Sequence, residues 1–93
     1  MNKHNPIKLA RQLGISPSRS MEAVMKAQLI SAVLKAAESH GLTHSEIARR
    51  AHLPRSAVTG ILSGSLQKVT IDRVLRLVEA VHLIVEVKVK KAA

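Results

Sequence analysis

Histidines, serines and carboxylates are the groups in this sequence that could hold a metal ion or carry out catalysis. There are five histidines and no cysteine, and His40 and His44 are four positions apart, a spacing that can place two zinc ligands on one helix face. Gly41 lies between them and is expected to end the helix, so the two rings do not share a face. The six acidic residues are scattered, and no serine lies in a Gly-x-Ser-x-Gly turn. We therefore expect no metal site, no cofactor and no enzyme activity.

Lysine and arginine indicate a different chemistry, the binding of a polyanion. The chain has 15 lysines and arginines against 6 acidic residues, a formal net charge of +9. This excess favours DNA, RNA or an acidic membrane surface as the partner. The alternative is a basic domain that binds an acidic protein. The sequence contains no Phe, Tyr or Trp, which excludes base stacking on aromatic side chains and argues against RNA.

The elements that position these charges must fit into one small domain, because 93 residues leave no room for a second core. The absence of cysteine excludes disulfides and cysteine-ligated zinc. There is no apolar run of about 20 residues that could cross a membrane, and the N-terminus lacks the apolar stretch of a secretory signal. We expect a cytoplasmic protein whose modest aliphatic core a partner subunit could complete.

Three regions follow from the residue pattern. Residues 1–20 form a basic arm with a short helix from Pro6 to Leu13 and a loop over residues 15–18. Residues 21–82 form the main domain, and residues 83–93 form a C-terminal strand and basic tail. The domain begins with a long helix from Met21 to His40, which Gly41 ends. The apolar positions at helical spacing in this long helix are Ala23, Ala27, Ile30, Leu34 and Ala37.

The segment Thr43 to Leu62 has the pattern of two short helices joined by a tight turn. Thr43 and Glu46 fit a capping box at the start of the first helix, and the second helix begins at Arg55. Ala48 is the small residue at the closest approach of the two helices. This arrangement is a helix–turn–helix unit, in which the second helix presents its N-terminal end to the major groove of DNA.

Two more elements are predicted after this unit. Thr70 caps a further helix, whose apolar positions are Ile71, Val74, Leu75 and Val78. The apolar period then changes from 3.6 to 2, which predicts a β-strand. A lone strand cannot satisfy its own backbone groups, so we expect it to pair with the same strand of a second copy; the alternative is a disordered basic tail. The predicted dimer strand is formed by Val85, Val87 and Val89.

The chain from Gly41 to Lys90 resembles the Cro and phage-repressor (XRE-like) helix–turn–helix family. The runs Leu42–Ala48, Leu53–Thr59 and Ile61–Gly64 carry the resemblance. The Thr-Ile-Asp-Arg-Val-Leu-Arg-Leu helix before a strand is similar to a branch that includes HigA-type antitoxins, which repress their own toxin–antitoxin operon, and stand-alone repressors. The resemblance implies a mainly α, four- to five-helix repressor-like domain with one C-terminal β-strand. It implies double-stranded DNA, a second copy of the chain and a cognate toxin as partners.

The resemblance also assigns roles to individual residues. Arg55 stands at the first position of the recognition helix, where an arginine can bond guanine O6 and N7, worth about 1–3 kcal/mol of discrimination. His44 stands where the family usually has a glutamine that donates to a DNA phosphate, and Ser56 and Thr59 stand where side chains touch base edges or nearby phosphates. The DNA-binding residues implied by the resemblance are Thr43, His44, Arg49, Arg50, Arg55, Ser56, Thr59 and Lys68.

Further positions depart from the family pattern, and Ala57 and Gly60 stand where the family often has longer polar residues. His52 occupies the turn position usually held by glycine, where a left-handed backbone is costly for other residues. Pro54 replaces the usual serine cap of the recognition helix. Three functions remain open on the sequence alone: a repressor that regulates its own operon as an antitoxin, a module that chiefly sequesters a toxin, and a stand-alone regulator without a toxin.

Overall fold

The computed structural model describes residues 14, 16–66 and 68–92. The short helix predicted for residues 6–13 lies outside the described residues. Within them the chain forms four helices, and mainly helical architecture is confirmed. The helices are α1 (Pro17–His40), α2 (His44–Ala51), α3 (Arg55–Leu62) and α4 (Ile71–Ala80).

Helix α1 begins earlier than the sequence analysis predicted. The Ser16 side chain accepts a hydrogen bond from the Arg19 amide at 3.3 Å, and Pro17 occupies the first helical position. Proline suits that position because its missing N–H would have no partner there and its fixed φ is already helical. The prediction of a loop was therefore wrong for Pro17 and Ser18, which are helical, while Ser16 is the extended N-cap residue. Helix α1 also crosses the predicted boundary between residues 20 and 21.

The buried face of α1 also differs from the predicted one. Ile30 and Ala37 are buried as predicted, whereas Ala23, Ala27 and Leu34 are exposed. An alanine-rich helix offers several apolar stripes at helical spacing, and packing against the other helices selects one of them. The buried positions of α1 are Lys26, Ile30, Val33, Ala36 and Ala37.

One aliphatic core joins the four helices. α1 packs against α4, and α2 packs against both α3 and α4. In α4, Val74 and Val78 are buried as predicted, but Leu77 and Ala80 are buried as well, and Leu75 is 42% exposed. The largest fully buried side chains are Ile47, Leu77, Val33, Val58, Val74 and Val81. Burying each such side chain contributes about 1.5–3 kcal/mol, so the core holds the helices in fixed orientations.

Three of the helices end with the same turn, in which a left-handed residue precedes a leucine. Gly41, His52 and His82 have φ of 64°, 56° and 62°. In each turn the leucine amide donates back to the helix, over 2.9 Å from Leu42 to the Ala37 carbonyl, 3.0 Å from Leu53 to Ala48 and 3.0 Å from Leu83 to Val78. The leucines also pack on the core, as this type of cap requires. The turns at Gly41 and His52 were predicted, and the one at His82 was missed although it repeats the His-Leu pair of residues 52 and 53.

The C-terminal segment, residues 83–92, forms neither helix nor strand in the described structure. The strand predicted there is not confirmed. Of its alternating valines, Val85 is 38%, Val87 74% and Val89 89% exposed, and the neighbouring Ile84 is 90% exposed. The physical reason is that a strand needs a neighbour for its backbone groups, and the described residues contain no other strand that could pair with it.

We predict that His52→Gly raises the melting temperature. Glycine removes the cost of about 1–2 kcal/mol that a residue with a Cβ incurs in the left-handed conformation. Part of this gain in folding free energy is cancelled because glycine has a larger conformational entropy in the unfolded chain. The expected net gain is at most about 1 kcal/mol, or about 4–8 °C in a domain of this size. Thermal unfolding followed by circular dichroism measures the change.

The matched control is Gly41→Ala, which should lower the melting temperature. A Cβ at Gly41 would meet nothing within 4 Å, so any loss comes from the left-handed backbone alone. A lower melting temperature for His52→Gly would show that the imidazole makes a stabilising contact that outweighs the strain.

We also predict a pH effect at the start of α2. Hydrogen bonds from the backbone and side chain of Thr43 lower the pKa of Glu46 below its ordinary value of 4.5. A lowered carboxyl pKa means that the ionised group stabilises the fold above its ordinary pKa and that this contribution is lost as the pH falls through the lowered value. The melting-temperature advantage of the wild type over Glu46→Gln should therefore shrink from about pH 6 to about pH 3. A pH-independent difference would contradict the assignment.

Candidate nucleic-acid interface

The outer face of α3 is fixed by the side chains on its inner face. Val58, Ile61 and Leu62 are buried in the core. The opposite face therefore points outward, and it carries Arg55 and Ser56 in the exposed first turn. Pro54 supplies no side-chain hydrogen bond to this turn, as predicted from its sequence. Within this turn the Ala57 amide donates instead to the Pro54 carbonyl at 3.0 Å.

The start of α2 is held by the predicted capping box. The Thr43 amide donates to Glu46 Oε1 at 2.9 Å, and the Glu46 amide donates to Thr43 Oγ1 at 3.1 Å. These reciprocal bonds fix the first turn of α2 and with it the position of His44. Thr43 thereby has a structural role at this interface in addition to the DNA contact that the sequence predicts.

Two candidate residues from different helices meet at this point. His44 Nδ1 lies 3.0 Å from Thr59 Oγ1 on α3. The sequence analysis named both residues but predicted no contact between them, since they lie in separate helices. Because Nδ1 is engaged with the hydroxyl, Nε2 on the other edge of the ring is the nitrogen that a phosphate would meet.

Two further candidate residues are exposed. Arg49 is exposed on α2, and Lys68 is exposed in the loop between α3 and α4. The segment 43–68 contains four lysines and arginines but one acidic residue, Glu46, and that carboxylate is bonded to Thr43. A surface of this composition has a positive potential, which attracts a polyanion. We refer to Arg49, Arg55, Ser56, Lys68 and the His44–Thr59 pair as the recognition surface.

Arg50 has a contact that the sequence did not predict. Its Nη1 atom donates to the Ala80 carbonyl at 3.1 Å and lies 3.5 Å from His82 Nε2. The side chain therefore reaches from α2 to the C-terminal end of α4. No local sequence signal could have revealed this, because the partners are about thirty positions away and the contact depends on how α2 packs against α4.

The described residues offer little support for a metal site or a membrane-spanning helix. No group of three or more His, Asp or Glu side chains in this part of the chain lies close enough to hold a metal ion. None of the described helices has the length and apolar character needed to span a membrane. Three acidic side chains are already engaged: Glu22 lies 3.1 Å from Lys26, Asp72 lies 3.3 Å from Arg76, and Glu46 belongs to the capping box.

Comparison with known proteins agrees with this geometry. A family profile described as a helix-turn-helix domain matches residues 9–90. Neither a curated protein nor a solved structure is significantly similar to the chain. The match covers most of the 93 residues and includes α1 to α4. The chain therefore belongs to the helix-turn-helix domain family, and its fold is that of a DNA-binding domain.

Proposed function

We propose that this protein is a sequence-specific repressor that binds double-stranded DNA as a homodimer. The observation that supports this most is the exposed first turn of α3, with Arg55 at its start and the opposite face locked into the core. A recognition helix must hold its base-reading side chains rigidly, since each good bidentate contact depends on angle as well as distance. The burial of Val58, Ile61 and Leu62 supports the proposal because it fixes the backbone from which Arg55 extends.

The recognition surface divides into base-reading and backbone-binding residues. Arg55 enters the major groove and bonds a guanine, with Ser56 and Thr59 beside it. His44, Arg49 and Lys68 lie on α2 and in the α3–α4 loop, and they bind phosphates on either side of the groove. Phosphate contacts set the register of the protein on DNA, whereas base contacts supply the sequence preference.

The C-terminal segment supplies the dimer contact in this proposal. Val85, Val87 and Val89 alternate along residues 83–92, and Val87 and Val89 are mostly exposed in the single chain. Pairing of this segment with its copy would satisfy both backbones and cover the valines. A two-fold dimer reads a palindrome whose half-sites are about 34–36 Å apart, one turn of the double helix.

We further propose that the operon under control encodes a toxin and that this protein is its antitoxin. The support is the resemblance of residues 41–90 to the branch that contains HigA-type antitoxins. A co-transcribed neighbouring reading frame for a small protein, whose product binds this chain, would support the proposal. A gene that stands alone would favour the regulator without a toxin.

We predict that Arg55→Ala weakens operator binding far more than non-specific binding. The expected loss on an operator selected from randomised duplexes is about 1–3 kcal/mol, or about 5–150-fold. The loss on random DNA should be small, because only one of several positive charges is removed. Fluorescence anisotropy titrations at one fixed salt concentration measure both affinities.

Arg73→Ala is the matched control, since Arg73 is an exposed arginine of α4 outside the recognition surface. It should leave the ratio of operator to random affinity unchanged. Equal losses on both DNAs for Arg55→Ala would refute a base-reading role for Arg55.

We predict that removal of residues 84–93 converts a dimer into a monomer. Leu83 is kept because it packs against the core and its amide closes the turn at the end of α4. Light scattering after gel filtration should give half the full-length mass, with circular dichroism confirming that the helices remain. A full-length monomer, or a truncated dimer, would contradict pairing through the segment.

A further inference from the structure

We infer that Arg50 sets the direction in which the C-terminal segment leaves the domain, and thereby the half-site spacing that the dimer prefers. The inference rests on the proposed dimer and gives Arg50 a positioning role in place of a phosphate contact. It follows from three observations: the contact of Arg50 with α4, the turn at His82, and the common core beneath α2 and α3.

The contact of Arg50 lies at the end of α4. The last carbonyls of a helix have no partner within the helix and carry partial negative charge. Arg50 places a guanidinium at one of them, the Ala80 carbonyl, over 3.1 Å in a partly buried setting. A charged donor to such a carbonyl makes a stronger and more directional bond than a neutral one, so it fixes α2 to this end of α4.

The turn that follows α4 is fixed from three sides. The His82 amide donates to the Glu79 carbonyl at 2.9 Å, and the Leu83 amide donates to the Val78 carbonyl at 3.0 Å. The Leu83 side chain packs against the core, and the His82 ring lies 3.5 Å from Arg50. The direction of the backbone at Leu83 is therefore defined relative to α2.

The same core makes α2 and α3 move together. Ile47 and Ala48 of α2 and Val58 and Ile61 of α3 are all buried in one cluster. A close-packed interior transmits displacement rather than absorbing it. The contact between α2 and the end of α4 thus fixes the recognition helix relative to the segment that pairs with the second copy.

A small change in the direction of the backbone at Leu83 matters because the resulting displacement grows along the C-terminal segment. An extended chain from Leu83 to Val89 is about 20 Å long. A rotation of about 10° at its base moves its end by about 3.5 Å, close to the rise of about 3.4 Å per base pair. If the backbone at Leu83 is held less firmly, the dimer should therefore accept operators whose half-site spacings differ by one base pair.

Arg49 provides a matched control, because it is the neighbouring arginine on the same helix and is exposed. Removing either arginine changes the net charge equally. If Arg50 positions the segment, its loss should alter the preferred spacing, whereas the loss of Arg49 should alter affinity at every spacing.

The experiment compares wild type, Arg50→Met and Arg49→Met on palindromic operators whose half-site spacing differs by −1, 0 and +1 base pair. Wild type should prefer its own spacing by about tenfold or more. Arg50→Met should remain a dimer by light scattering, keep wild-type affinity for a single half-site, and prefer the native spacing by less than about threefold. Arg49→Met should bind all three operators more weakly, with a smaller salt dependence and an unchanged preference.

The remaining outcomes separate a failure of the positioning role of Arg50 from a failure of the proposed dimer. An unchanged spacing preference in folded Arg50→Met, or a uniform loss with reduced salt dependence like that of Arg49→Met, overturns the positioning role. A wild-type protein that is monomeric or has no spacing preference refutes the proposed dimer instead. If Arg50→Met does not fold, the same binding measurements are made on Arg50→Lys. Lysine keeps the positive charge but lacks the planar guanidinium whose Nη1 atom meets both the Ala80 carbonyl and His82. Its preference should therefore be intermediate, and a wild-type preference would overturn the inference.

Discussion

The burial of one face of each short helix in a single aliphatic core is the constraint on which the rest of the structure depends. Ile47 of α2 and Val58 of α3 are completely buried, as are Val74 and Leu77 of α4. The chain contains no aromatic residue, so this core is built from branched aliphatic side chains and alanine. Small side chains such as Ala48, which is 6% exposed, allow the close approach of neighbouring helices. Once the inner faces are fixed, the outer face of α3 has only one orientation, and the recognition surface follows from it.

The connections between helices are governed by a second constraint, the repeated left-handed turn followed by leucine. Gly41 adopts this conformation at low cost, but His52 and His82 do so against the preference of residues with a Cβ. The energetic cost of the left-handed backbone is outweighed because the amide of each following leucine donates a hydrogen bond to the preceding helix, and its side chain packs on the core. The two strained turns lie at the joint between α2 and α3 and at the exit from α4. These are the two places where the direction of the chain decides where the recognition helix and the C-terminal segment point.

Local signals in the sequence predicted local structure well, and long-range contacts account for the errors. The capping box of Thr43 and Glu46, the Gly41 turn and the Thr70 cap each depend on residues within one helical turn, and all are present. The start of α1 could also have been predicted from local sequence, because Ser16 and Pro17 form a helix-capping signal. That signal was interpreted as a loop. The buried face of α1 could not be derived in this way, because packing against α4 chooses among equivalent stripes. Likewise, the strand predicted for residues 85–89 is not confirmed, because an alternating pattern in one segment does not supply the neighbouring strand with which it would pair.

The adjacent arginines of α2 show why charge alone does not define the recognition surface. A net charge of +9 provides attraction to any DNA, and this attraction carries no sequence information. Arg49 can add only to that attraction, whereas Arg50 is held by the Ala80 carbonyl and the neighbouring His82. The two adjacent arginines are separated by about 100° around the helix. Both are exposed, but the direction in which Arg50 extends brings its guanidinium to the end of α4. In the proposed function, sequence preference then comes from Arg55, which stands at the start of the helix that the core orients, whereas Arg50, bonded to the end of α4, affects the half-site spacing.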